Sequence, residues 1–241
     1  MKILSIDTSS NICGVSILEN TNLICKLDTD TGRTHSENLM PMIENAFKQT
    51  KLSLKDIDLI VCDIGPGSFT GIRIGVATTK AFHDSLDIPC IGINSLEALS
   101  YNLKDINEDE CVFSMIDCKN DNCYFALFQK KNGSFKTLIE PQADTVSGAL
   151  SILKSYCEDT LENTSITFIG DGSEVYKNNI TEVFEQAKFA DITKSKLDSY
   201  SLALAGFYKY ISGIELSEFL PLYLKKPQAQ RLLEEKNFNN S

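Results

Sequence analysis

SIDTSSNICGVSIL, residues 5–18, returns 110 positions later as MIDCKNDNCYFALF, residues 115–128. In both copies an apolar run ends in Ile-Asp, a cysteine stands six residues after the aspartate, and a second apolar run follows. Short aliphatic runs either side of a polar turn read as paired strands, so Asp7 and Asp117 each sit at a strand end. Further on, IGPGS (64–68) returns as IGDGS (169–173), offset by 105, each after an apolar run. A glycine turn before a helix is common on its own. Two matches in the same order at nearly equal offsets imply an internal duplication.

Outward from the first copy, ILSIDTSS (3–10), GVSILEN (14–20) and NLICKLD (22–28) form a strand meander turned at Asn20-Thr21-Asn22. THSE, Thr34 to Glu37, fits a capping box and predicts a helix to about Lys48, kinked at Pro41. IDLIVCDI (57–64) is apolar without alternation, the pattern of a strand buried on both faces. A helix from Ser68 or Thr70 to Leu86 follows, then IPCIGI (88–93) as a strand and NSLEALSYNL (94–103) as a helix. KDINEDE (104–110) turns polar and acidic and marks a boundary. The expectation is an α/β chain in two halves, 1–105 and 106–241. Each half runs strand, Asp turn, strand, strand, helix, strand, IGxGS turn, helix.

With 241 residues, 42% of them hydrophobic and 23% charged, the chain can bury one large core or two modest ones. No apolar run approaches the roughly 20 residues that span a bilayer, and MKILSID lacks a signal peptide's apolar centre. A cytoplasmic protein without membrane contact is expected. Eight cysteines show no CxxC spacing and lie mostly in apolar company, so they read as reduced, buried thiols. The net charge of −10 repels phosphate backbones. Nucleic acid would have to be met through a more basic partner, and Lys225, Lys226 and Arg231 near the end read as solvated cations.

The familiar chemical motifs are missing. Gly65, Gly67 and Gly71 are not followed by the Lys-Ser/Thr of a phosphate loop, and Thr70 occupies the last glycine position of GxGxxG. Free amides at Ser68–Thr70 would suit an anion, but a Ser68 or Thr70 cap is the simpler reading. His35 and His83 are 48 residues apart, with no second histidine near either to make a metal pair. GPGSFTG is not the GxSxG nucleophile elbow. Read alone, Asp7 and Asp117 are turn formers at strand ends.

MKILSIDTS (1–9), HSENLMP (35–41), GPGSFTGIRIG (65–75), SMIDCKNDNCYFA (114–126) and PLYLKKPQA (221–229) together resemble the bacterial TsaB (YeaZ) family. The resemblance covers nearly the whole chain. GPGSFTGIRIG is its most specific motif, residues 128–165 contribute little, and Cys118 and Asn120–Cys123 depart from the family's second Asp turn. It implies duplicated ribonuclease-H-like halves meeting at a cleft, the actin-like (ASKHA) ATPase fold. It also implies a non-catalytic subunit for tRNA threonylcarbamoyladenosine (t6A37) modification, forming a heterodimer with a TsaD-like catalytic paralogue, or a homodimer in its absence. A TsaE-like accessory ATPase would join, and tRNA would be met only through the complex. No metal, cofactor or catalytic residue is implied in this chain, and ATP or ADP would bind weakly or be shared at an interface. Asp7 and Asp117 stand where cleft ATPases of this superfamily place metal-linked carboxylates. Gly170-Asp171-Gly172 lies where relatives hold adenosine, and Asp171 there sets a carboxylate near any phosphate.

Gly67, Gly71 and Gly75 sit four apart and run into the second helix. Each glycine costs about 1 kcal/mol relative to alanine in a helix interior, so something must offset it. Residues four apart share a face. Gly71, Gly75 and Thr79 therefore make a bare strip flanked by Ile72, Val76 and Lys80, onto which another helix can pack closely. The first helix adds Leu39, Met42, Ile43, Ala46 and Phe47. The strip packs either on the chain's own sheet or on a partner, and the resemblance favours the partner. Two alternatives of other classes remain: an independent ATP-dependent phosphotransferase using an Asp7–Asp117 cleft, and a metallohydrolase.

Overall fold

The two Asp-turn repeats build two sheets of the same plan. A computed structural model of the chain describes residues 1–30, 34–161, 165–213 and 219–225. The first half contributes β1 (Lys2–Asp7), β2 (Cys13–Glu19), β3 (Asn22–Thr29), β4 (Leu59–Asp63) and β5 (Cys90–Ile93), in the order β3-β2-β1-β4-β5. Its helices are α1 (His35–Thr50), α2 (Phe69–Leu86) and α3 (Ser95–Ser100). The second half contributes β6 (Cys111–Asp117), β7 (Asn122–Lys131), β8 (Ser134–Thr145), β9 (Ile166–Ile169) and β10 (Lys188–Phe189), in the order β10-β9-β6-β7-β8. Its helices are α4 (Val146–Thr160), α5 (Asp171–Val175), α6 (Lys177–Val183) and α7 (Ser199–Ile211).

In each sheet the first three strands are antiparallel and the last two join in parallel. The repeats differ at the turn. Asp7 pairs with Gly14, whereas Asp117 pairs with Cys123, one residue tighter. The shorter turn is closed by three consecutive left-handed residues, Lys119, Asn120 and Asp121. Asn and Asp tolerate that region better than most side chains, and this is the stretch that departs from the family pattern.

Strand alternation divides the core. Leu4 and Ile6 of β1, with Ile60 of β4, face Leu39, Ile43 and Ala46 of α1. Ile3, Leu59 and Val61 face the other way, onto α7 residues Leu202 to Ala205. β4 is buried along its whole length, as its unbroken apolar run predicts. Although α7 follows the second half's strands, it packs on the first sheet. The carbonyl of Ser199 accepts from both Ser5 Oγ (2.7 Å) and Ser16 Oγ (2.9 Å), which clips its first turn to β1 and β2. On the second sheet, Phe113, Phe125 and Phe168 pack under α4 with Leu150 and Leu153. All eight cysteines are free thiols, five of them buried. Among the described residues no helix is long and apolar enough to cross a membrane.

Candidate functional site: the inter-half cleft and the outer face of two helices

Both candidate sites depend on the start of α2. Ser68 caps it, its Oγ accepting from Gly71 N–H at 3.2 Å, in agreement with the capping reading. At α1, the Glu37 carboxylate accepts from the backbone N–H of Thr34 at 3.1 Å and from its hydroxyl at 2.8 Å, closing the predicted box. The helix then runs through Pro41 without ending.

The glycine strip does not face outward, which corrects the partner reading of that strip. A methyl on Gly71 would collide with the carbonyl of Thr8, and one on Gly67 with the carbonyl of Ser9. A methyl on Gly75 would press on Thr8 Oγ1 at 2.5 Å. Thr8 Oγ1 also donates to the Gly71 carbonyl at 2.7 Å. The glycines let α2 lie against the chain's own β1 turn, so the cost of helical glycine is offset within the fold. Gly71, Gly75 and Thr79 are buried there. Ile72 and Val76 pack with Cys62, Ile64 and Phe219. Leu39, Ile43 and Ala46 are spent on the core under α1, and Met42 and Phe47 are half-buried beside them. Of the residues expected to meet a partner, Lys80 alone is exposed.

What α2 does present is a different row: Thr70, Arg73, Ala77, Lys80, Ala81 and Asp84, with Ile74 and Phe82 partly open. On α1 the outward side carries Met40, 43% exposed, with Pro41 and Glu44. A segment that sequence reasoning did not place borders the α2 row. Residues 219–225 lie along α2, with Leu222 N–H donating to the Ile64 carbonyl at 2.7 Å. Arg73 is held between the Phe69 ring, 3.9 Å from its guanidinium, and Tyr223, whose hydroxyl accepts from Nε at 2.8 Å. Lys225 reaches the Tyr124 ring of β7, 5.9 Å away. The PLYLKK text was the available signal, but nothing in it says where it docks. Lys226 and Arg231 lie outside the described residues.

Between the halves lies a cleft of about 560 Å³, lined on one side by Ser9, Ser10, Gly67 and Ser68 and on the other by Asp117, Lys119, Tyr124 and Asp171. The duplication thus brings its two Asp turns together, but not their two carboxylates. Asp7 is 1% exposed and is not among the lining residues. Its Oδ1 accepts from Ser9 N–H at 2.9 Å and from Ser9 Oγ at 2.8 Å, and burial pushes its carboxyl up to about 6. Asp117 repeats the same turn, accepting from Lys119 N–H at 2.9 Å, and it also takes the Tyr176 hydroxyl at 2.9 Å and the Lys119 ammonium. Burial works to raise the Asp117 carboxyl, but the Lys119 and Tyr176 hydrogen bonds prevail and hold it below the usual carboxylate range. Asp171 opens α5 and accepts from Asp117 N–H at 3.0 Å. Burial, ahead of that hydrogen bond, raises its carboxyl. A two-carboxylate cleft spanning Asp7 and Asp117 therefore does not form.

The histidines are tied locally. His35 Nε2 donates to the Ser10 carbonyl at 2.8 Å, and His83 Nδ1 to the Ile88 carbonyl at 2.8 Å. Among the described residues no three His, Cys, Asp or Glu side chains converge in a way that could hold a metal. One buried carboxylate went unread in the sequence: Asp63, at the end of β4, which is fully buried beside Asp7. Its signal was an aspartate closing an otherwise apolar strand.

Comparison with known proteins follows the same lines. Residues 28–233 match the family model described as TsaD: tRNA N6-adenosine threonylcarbamoyltransferase. The chain is 28% identical over 230 residues to the Bacillus subtilis tRNA threonylcarbamoyladenosine biosynthesis protein TsaB, covering 95% of this chain and 96% of that one. In structure it is similar to YeaZ from Pseudomonas aeruginosa, with a TM-score of 0.75 at 21% identity over 92% of this chain and 99% of that one. A ROK hexokinase from Thermus thermophilus aligns at a TM-score of 0.57 and 11% identity, over 88% of this chain and 100% of that one. The chain thus shares its fold, two α/β halves of one plan, with YeaZ and with this hexokinase.

Proposed function

This chain belongs to the TsaD family of tRNA N6-adenosine threonylcarbamoyltransferases, and we propose that within it the chain is a non-catalytic, partner-binding subunit of the TsaB (YeaZ) kind. It takes part in forming threonylcarbamoyladenosine on tRNA by pairing with a TsaD-like catalytic paralogue. The observation that carries this reading is the state of Asp7. In a cleft enzyme of this fold that carboxylate should be open to a metal-bound phosphate. Here it is buried and held through Oδ1 by Ser9, and its counterpart Asp117 is paired with Lys119.

The outer faces of α1 and α2 are the binding surface in this reading. Met40, Ala77, Lys80 and Ala81 are exposed there, and the half-buried Met42 and Phe47 supply its apolar edge. A second copy of the chain occupies the same face when the paralogue is absent. A TsaE-like ATPase joins the pair, nucleotide binds weakly or at their shared interface, and tRNA is held by the complex rather than by this acidic chain.

The test is to purify the chain alone and with a TsaD-like paralogue, then measure complex formation on a sizing column and threonylcarbamoyl transfer to tRNA with and without it. Transfer that requires the chain, with no enzyme-rate ATP turnover by the chain alone, is the expected result. Robust ATP turnover by the isolated chain, abolished in Asp7→Ala, would establish the phosphotransferase alternative instead.

A further inference from the structure

Ser9 raises a proton-counting problem. Its hydroxyl carries one hydrogen, yet its Oγ lies 2.8 Å from Asp7 Oδ1 and 2.9 Å from Asp63 Oδ2. A hydroxyl donates once and otherwise accepts, and an ionised carboxylate only accepts. With both aspartates ionised, one of these two buried contacts would set oxygen against oxygen with no proton between. Left unpaired, such a contact is strongly unfavourable in a site sealed from water.

The remaining hydrogen bonds say which carboxyl holds the extra proton. Asp63 Oδ1 already accepts from Gly65 N–H at 2.7 Å and from Ser95 Oγ at 2.7 Å. Its Oδ2 faces Ser9. Asp7 Oδ1 accepts the Ser9 backbone N–H as well as facing the Ser9 hydroxyl, the surroundings of an ionised acceptor. We propose that Asp63 is a neutral carboxylic acid at neutral pH, donating from Oδ2 to Ser9 Oγ, which donates in turn to the Asp7 carboxylate. Every contact in the chain then has one proton and one lone pair.

Besides the two aspartates themselves, the charged groups packed around the pair act on Asp7. From β3, Asp28 adds negative charge toward Asp7, and its own cation, Lys26, is shared with Asp198 at the start of α7. From α1, His35 opposes this weakly. The thiols of Cys13 on β2 and Cys62 on β4 are pushed up, the first to about 12, and stay neutral. Among the described residues no lysine or arginine bonds to either carboxyl.

This relay ties β1, β4 and α3 together at the floor of the cleft. The same Ser9 turn accepts the Ser68 N–H at 2.6 Å through its carbonyl, fixing the cap of α2. A single retained proton therefore holds the cleft floor and the start of α2 in register, and alkaline pH withdraws it. The device stands whether or not the partner reading does.

The experiment is carboxyl carbon-13 NMR of the full wild-type chain, with side-chain carboxyls assigned through the backbone, titrated from pH 5 to 9. The expected result is an Asp63 carboxyl carbon with the chemical shift of a protonated acid at pH 7. On its titration at higher pH, the amides of Ser9 and Ser68 should shift together with it. Asp63→Asn, which keeps a donor toward Ser9 and an acceptor toward Gly65, should abolish the shift of those amides above pH 7 and leave only the response to Asp7, which titrates at about 6. An Asp63 carboxyl ionised throughout, or a neutral shift found on Asp7 instead, would overturn the assignment.

Discussion

Thr8 and Gly71 are joined twice: the Thr8 hydroxyl donates to the Gly71 carbonyl at 2.7 Å, and the Thr8 carbonyl occupies the space where a side chain on Gly71 would begin. The second relation explains why α2 carries glycine where alanine would favour the helix.

Gly71→Ala gains about 1 kcal/mol of helix propensity and loses more, because the atom in its way is the backbone carbonyl of Thr8 in the turn after β1. Overpacking of this kind costs about 1–3 kcal/mol, and backbone yields less readily than the end of a side chain. A net loss of about 1–2 kcal/mol, or roughly 2–8 °C in Tm, is expected in thermal unfolding of the isolated chain. Unchanged stability with lost partner binding would return the strip to the interface.

Ala77→Arg and Lys80→Glu fall on the exposed row of α2. Surface changes of this kind move stability by about 0.5 kcal/mol or less. The double variant is expected to fold with wild-type Tm and fail to co-elute with the catalytic paralogue. Retained co-elution would move the binding surface off this row.

Stability should fall on the alkaline side. Burial raises Asp7 to about 6 and Asp63 well above the ordinary carboxylate value of 3.8. The folded chain therefore keeps protons that the unfolded chain releases. The stabilisation is complete below the unfolded value and is lost as pH climbs through 6 and beyond. The slope is at most about 1.4 kcal/mol per pH unit for each retained proton. Asp117 acts in the opposite sense. Held below its ordinary value, it contributes above about pH 4 and loses that contribution on acidification. Urea unfolding from pH 5 to 9 should show the alkaline decline, and Asp63→Asn should flatten it.

Tyr223→Phe removes the hydroxyl that Arg73 Nε donates to, and Tyr223→Ala also removes the ring that packs, tilted, 4.7 Å from Phe69. Losses of about 0.5–1 and about 1–2 kcal/mol are expected. Hydrogen exchange at the Leu222 amide, bonded to the Ile64 carbonyl, should accelerate more in the alanine variant. Equal exchange in both variants would mean that the segment is held elsewhere.

The sequence by itself determined whatever is written in local pattern. The Asp-turn repeat became two sheets of one plan, the unbroken run of β4 became a strand buried on both faces, and Thr34 and Ser68 became helix caps, because hydrogen bonding and burial at short range decide each of these. It also showed that Gly71, Gly75 and Thr79 share a face, since helical period decides that much. Only the tertiary structure decided what that face meets. It turned the glycines onto the Thr8 and Ser9 carbonyls, laid residues 219–225 along α2, and brought α7 back to the first sheet. It also set Asp63 beside Asp7 across a single serine. Periodicity orders residues about one element's own axis, whereas contact depends on how distant elements are placed, and that placement is settled by the packing of the whole chain.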